Sequence, residues 1–193
     1  MFKKQKFNKN KLILSLVLIA FAVSSRIFLQ DVPNVETITV TALLAGSILG
    51  GVYALVIPLT AIALTDIWIG NNPILLFTWS AWAMVGLGGL LLRKEKKDSF
   101  KYALKMTGLG LGASLLFYLW TNFGVWLTWP KLYPMTWPGL LQCYLMGLPF
   151  FKYNLLGNLV IILVISSSLV IACKATALGK MIKQKSHART SKM

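Results

Sequence analysis

The side chains in this sequence that could do chemistry in an apolar setting gather in two places. Asp66 stands in the run A-L-T-D-I-W-I-G-N-N-P over residues 63–73, about one turn inside the end of an apolar segment. An ionisable group in such a position is a functional candidate by default. It can pair with a positive group on a solute, pair with Arg26, or reach water at the helix end. The second place is the stretch 118–158, which holds Trp120, Trp126, Trp129 and Trp137, Tyr118, Tyr133, Tyr144 and Tyr153, and the amides Asn122, Gln142, Asn154 and Asn158. Such rings form either an interfacial belt or the stacking walls of a ligand site. Amides at that depth act as glue between helices or as ligand contacts. The candidate substrate-binding set is Asp66, Trp79, Trp120, Asn122, Trp126, Tyr144 and Asn154. In a site of this kind ring faces stack a small planar or heterocyclic solute, amides read its polar edge, and Asp66 meets a positive group.

Other chemistries find little footing. His187 is the single histidine and lies in a basic tail, so no metal site is expected. Cys143 and Cys173 are expected on opposite sides of a membrane and cannot pair. No nucleophile elbow, His-Glu-x-x-His run or carboxylate pair is present. The glycines at 86, 88 and 89 and at 108, 110 and 112 miss the dinucleotide-binding spacing and read as packing faces. The expectation is a protein that is not an enzyme and carries no cofactor.

The elements that must position these residues follow from composition and charge. With 56% hydrophobic and 13% charged residues, the chain has too little polar surface for a soluble domain and reads as an all-α polytopic membrane protein. The net charge of +15 is concentrated in three blocks: Lys3 to Lys11, Arg93 to Lys105, and Lys174 to Lys192. Blocks of this kind mark cytoplasmic segments and contact anionic membrane lipids; they are not spread over a face that would bind nucleic acid. Both termini and the middle loop are therefore cytoplasmic, which requires an even number of crossings on each side of that loop. Four and two fit, with spans at 12–29, 35–49, 52–69, 73–92, 102–120 and 155–173. This divides the chain into a basic N-terminus (1–11), a single six-helix transmembrane domain (12–173) and a basic tail (174–193).

Several details refine the plan. The N-terminus has the layout of a secretory signal peptide, with Ala20-Phe21-Ala22 as a cleavage site, but apolar sequence resumes after Arg26 and parity needs this crossing. An uncleaved first helix is expected. Arg26 can snorkel outward or pair with Asp31 or Glu36 in the short outer loop. Gly46 and Gly50 give the second helix a small face, and Gly50-Gly51 permits a tight reversal into a close hairpin with the third. Trp137-Pro138 can start a helix and Pro149 can end it. The resulting segment, 138–148, is too short to cross and is expected as an outer interfacial or re-entrant lid.

The small-residue helix, Gly-Gly reversal and T-D ending over residues 40–66, followed by T-N-F-G-V-W at 121–126, Tyr133-Pro134, and C-Y-L-M-G-L-P-F-F at 143–151, resemble an uncharacterised family of bacterial six-helix membrane proteins assigned to transport. That family is similar in turn to the substrate-binding S components of energy-coupling factor (ECF) transporters. The resemblance covers about residues 12–173. It implies an inner (plasma) membrane location, an outer pocket for a vitamin-like or heterocyclic nutrient, and ATPase and scaffold subunits as partners. Where S components carry Ala-x-x-x-Ala near the start of the first helix, this chain has Ala20-x-x-x-Ser24, further along. A different reading makes the chain a structural membrane partner, similar to cell-shape proteins of the same helical plan, with no transported ligand. Specific ligand binding separates the two.

Overall fold

The computed structural model describes residues 8–32, 34–70 and 74–190, with side chains through residue 180, and all regular structure among them is helical. Helix α1 (Lys9–Phe28) is opened by Asn8, whose side chain accepts from the backbone N–H groups of Asn10 and Lys11. Helix α2 (Ile38–Leu44) continues as a π-helical turn, Ala45–Leu49. Then come α3 (Tyr53–Ile69), α4 (Leu75–Gly89, closed by a 3-10 turn at Leu90–Leu92), α5 (Phe100–Thr128) and α6 (Trp137–Thr190). Four of these, Lys9–Phe28, Leu75–Leu92, Phe100–Thr128 and Trp137–Lys180, are long and apolar enough to cross a membrane. Ile38–Leu49 and Tyr53–Ile69 are apolar but shorter.

Helix α2 is the axis of the bundle. Every residue of Ile38–Leu44 is buried, and α1, α3, α4, α5 and α6 all pack around it. A helix without a polar face is satisfied only inside a ring of others. Its small residues set the spacing. A Cβ added to Gly46 would lie 2.8 Å from the Gly89 backbone, and one on Gly89 would lie 2.6 Å from the Leu43 carbonyl oxygen. One on Gly86 would be driven into the Ala54 carbonyl. Thus α2, α3 and α4 meet at backbone distance, the arrangement small residues allow. The expected hairpin is present: α2 packs on α3, and Gly50 and Gly51 turn the chain at φ 65° and 56°, a region that favours glycine. Of the glycines read as packing faces, Gly86, Gly89 and Gly110 pack closely, whereas Gly88, Gly108 and Gly112 face open space.

One sequence expectation is corrected. Residues 138–148 are not a separate interfacial or re-entrant helix; they are the first turns of α6, which runs unbroken through Pro149, and α5 extends to Thr128 to meet them. Proline 149 lacks the N–H that would bond the Leu145 carbonyl, a loss that a neighbouring helix can offset. Helix α5 supplies the contacts. The Tyr118 hydroxyl donates to the Tyr144 carbonyl (2.7 Å), Tyr144 donates to the Leu119 carbonyl (3.1 Å), and the Tyr118 ring stacks on Phe151 (4.7 Å). At its other end α6 carries the helix through the basic tail to Thr190.

Candidate functional site

Arg26 and Asp66 come together near the ends of α1 and α3. The last turn of α1 places Arg26 where its charge suits the helix dipole, whereas a carboxylate in the last turn of α3 has the wrong sign for that end. The pair resolves the conflict: Arg26 Nη2 lies 3.1 Å from Asp66 Oδ1, and Nη1 donates to Thr65 Oγ1 at 2.8 Å. The second Asp66 oxygen accepts from Trp79 Nε1 at 2.9 Å. Trp79, on α4, is thereby fixed behind the carboxylate.

Above this pair the loop between α1 and α2 folds over the helix ends. It is tied down at three points. Ser25 and Thr37 join hydroxyl to hydroxyl, Glu36 accepts from the Thr39 backbone N–H (3.1 Å) and hydroxyl (2.7 Å), and Asn154 of α6 donates to the Asn34 carbonyl (3.2 Å). Glu36 thus caps α2 in place of Thr37, whose side chain makes no cap bond. Burial pushes the Glu36 carboxyl above the usual range; the Thr39 bonds and the Arg26 charge pull the other way.

A cavity of about 260 Å³ lies beneath this loop, lined by Arg26, Gln30, Asn34, Glu36, Asp66, Asn154 and a wall of Ile62, Trp82 and Phe117. The Trp82 and Phe117 rings pack at 4.7 Å. A second space of about 50 Å³, between α5 and α6, shares Asn34, Phe117 and Asn154 with it and adds Tyr118, Thr121, Asn122 and Phe151. Below it, Asn154 accepts from Asn158 (3.1 Å), which also donates to Ser114 (2.8 Å), so a line of amides runs down the α5–α6 seam.

The candidate residues divide accordingly. Asp66 and Asn154 line the main cavity, with Trp79 bonded to Asp66, and Asn122 lines the smaller one while donating to the Tyr118 carbonyl (2.8 Å). Trp120, Trp126 and Tyr144 line neither. Trp120 donates to Ser80 and packs on Phe77, Trp126 donates to the Pro134 carbonyl, and Tyr144 braces α6 against α5. They brace α5 against α4, α6 and the connection between α5 and α6. None of the residues lining the main cavity comes from 138–148; Leu29, Gln30, Val32, Asn34, Val35 and Glu36 line it instead.

Arg26 is the main residue that the candidate set omits, along with Gln30, Asn34, Glu36, Trp82 and Phe117. A signal was present, since Arg26 is the one arginine outside the basic blocks and falls within an apolar segment. It forms the pair with Asp66 that the sequence left open, and among the described residues it has no ion pair with Asp31 or Glu36.

Comparison with curated proteins and with solved structures returns no match. The family model for DUF6580, a family of unknown function, matches residues 5–180, and the chain belongs to that family.

Proposed function

We propose that this chain is a multi-pass protein of a bacterial inner membrane that captures a small solute from the outer side for transport, in the manner of an ECF S component. The observation that carries this reading is the cavity of about 260 Å³ with Arg26, Asp66 and Glu36 in its wall, at the ends of otherwise apolar helices. Charged groups held at such a depth are costly unless they serve a purpose. Six crossings with both termini inside suit the three basic blocks, if Ile38–Leu49 and Tyr53–Ile69 also cross. At 1.5 Å per residue these rise about 18 and 26 Å, short of a core of roughly 30 Å. For α2 the mismatch matters little, because protein rather than lipid surrounds it. No ATP-binding motif occurs in the chain, so energy from ATP would come through separate ATPase and scaffold subunits.

A structural-partner role would rest on glycine faces left open for other proteins. Gly46, Gly86, Gly89 and Gly110 are occupied inside the bundle while Gly88, Gly108 and Gly112 face open space, so ligand binding, not the glycine faces, separates the two readings. The test is intrinsic fluorescence, since Trp82 lines the cavity and Trp79 is bonded to Asp66 in its wall. Purified protein titrated with the dialysable fraction of cell extract and growth medium is expected to give a saturable change that the double variant R26Q/D66N loses. A flat titration, or one that the double variant reproduces, would overturn the reading.

A further inference from the structure

We propose that the solute carries a carboxylate received by Arg26, and that Asp66 holds the guanidinium in place without touching the solute; this rests on the cavity being a solute site. A guanidinium has five N–H donors. Among the described residues two of those on Arg26 are taken, one by Thr65 and one by Asp66. The Arg26 side chain is 26% exposed and lines the cavity. Asp66 stands the other way: one oxygen is taken by Arg26, the other by Trp79, and the side chain is 10% exposed. The cavity therefore offers an unspent cation and a spent anion, the reverse of what Asp66 alone suggests in the sequence.

The neighbouring charges narrow the anion. A carboxylate is planar, carries one charge and matches the arginine fork with two parallel hydrogen bonds. A phosphate brings a charge near two and would meet both Asp66 and Glu36 in the same wall. Burial raises the Glu36 carboxyl above its usual range, which lowers the cost of bringing a monoanion to this wall. Size and lining limit the remainder. An apolar cavity of about 150 Å³ admits benzene, so about 260 Å³ takes one ring with its carboxylate and little more. Trp82 and Phe117 present faces for that ring, and Gln30 and Asn154 present amides to its polar edge.

The test uses purified full-length protein in detergent and measures Kd by tryptophan fluorescence for matched probes. The pairs are nicotinate and nicotinamide, benzoate and benzamide, and indole-3-carboxylate and its amide, with benzylamine as a cation and glycerol 1-phosphate as a lipid-headgroup mimic. At least one carboxylate is expected to bind about ten- to a hundredfold more tightly than its amide, the range for a lost charged hydrogen bond. R26Q removes that preference and R26K restores part of it. D66N weakens the carboxylate and leaves the amide unchanged, a change in ratio that mere loosening of the fold would not give, and D66E recovers it. If R26Q alone does not fold, R26Q/D66N leaves neither charge without its counterpart and carries the test.

Equal binding of acid and amide, tighter binding of benzylamine, or carboxylate binding that survives R26Q/D66N would overturn the carboxylate assignment and leave solute capture standing. Binding of glycerol 1-phosphate above every carboxylate would replace it with a phosphate or headgroup site. No binding across the whole panel would count against both the assignment and solute capture.

Discussion

Asp66 was legible in the sequence as a carboxylate inside an apolar segment, with Arg26 among its open partners; which of its uses holds was not legible, because that depends on which helix end lies beside it. The structure pairs it with Arg26 and Trp79. Removing one member leaves the other's charge poorly compensated in a partly exposed setting, a cost of about 1–3 kcal/mol. Arg26→Gln and Asp66→Asn should each lower the thermal midpoint, and R26Q/D66N should cost less than the sum of the two, as a double-mutant cycle of melts will check. Glu36 gives a pH signature. Burial raises its folded-state pKa above the ordinary value of 4.5, so the folded state holds its proton more firmly than the unfolded chain. Stability from this group is therefore present at low pH and declines as pH rises from about 4.5 through the folded-state pKa. Glu36→Gln should flatten that decline in melts recorded across the acidic range; an unchanged slope would mean that Glu36 is not the group responsible. The rings were harder to sort. Trp120 and Trp126 cannot be told from Trp79 by residue type, since a belt and a binding wall use the same chemistry, and only helix rotation decides which faces a cavity.

At the scale of elements, the first four apolar segments were readable to within a few residues, because hydrophobic length and turn glycines mark them directly. The last two were not. The proline rule places a helix end at Pro149, and here the packing of α5 along α6 carries the helix through it. Pro149→Ala should accordingly keep or raise the melting temperature, since it restores a backbone bond in a helix that is already continuous. A marked loss would point to a hinge at this position. The glycines offer a sharper contrast. Gly86→Ala drives a Cβ into the Ala54 carbonyl and should destabilise the bundle strongly, while Gly112→Ala meets open space and gains helix propensity of up to about 1 kcal/mol. Melting of the two variants side by side checks the pair. Gly86 and Gly112 look alike in the sequence; the difference between them is whether another helix's backbone lies opposite.

For the whole molecule, the basic blocks were the most legible feature, and they lead to an orientation that can be measured. In a background with Cys143 and Cys173 replaced by Ser, Cys at Asn10 or Ser99 should label only from the cytoplasm and Cys at Thr128 only from outside. Reactivity of Ser99→Cys from outside would undo the six-crossing arrangement and move the cavity to the wrong face. The end of the bundle that carries the 93–105 block is a charged edge: Glu95 pairs with Lys105 at 2.5 Å, which holds its carboxyl below the usual range, and Lys97 closes the end of α4 by donating to the Leu92 carbonyl at 2.7 Å. What the sequence could not convey is the cavity, because it is assembled from the ends of several helices and a loop whose path depends on Ser25 meeting Thr37 and Asn154 meeting the Asn34 carbonyl. Its occupancy is the central claim, and native mass spectrometry of gently extracted protein tests it most directly. The wild-type chain is predicted to carry a small-molecule adduct, one per chain, that R26Q/D66N lacks; a bare wild-type mass, or the same adduct on both, would contradict it.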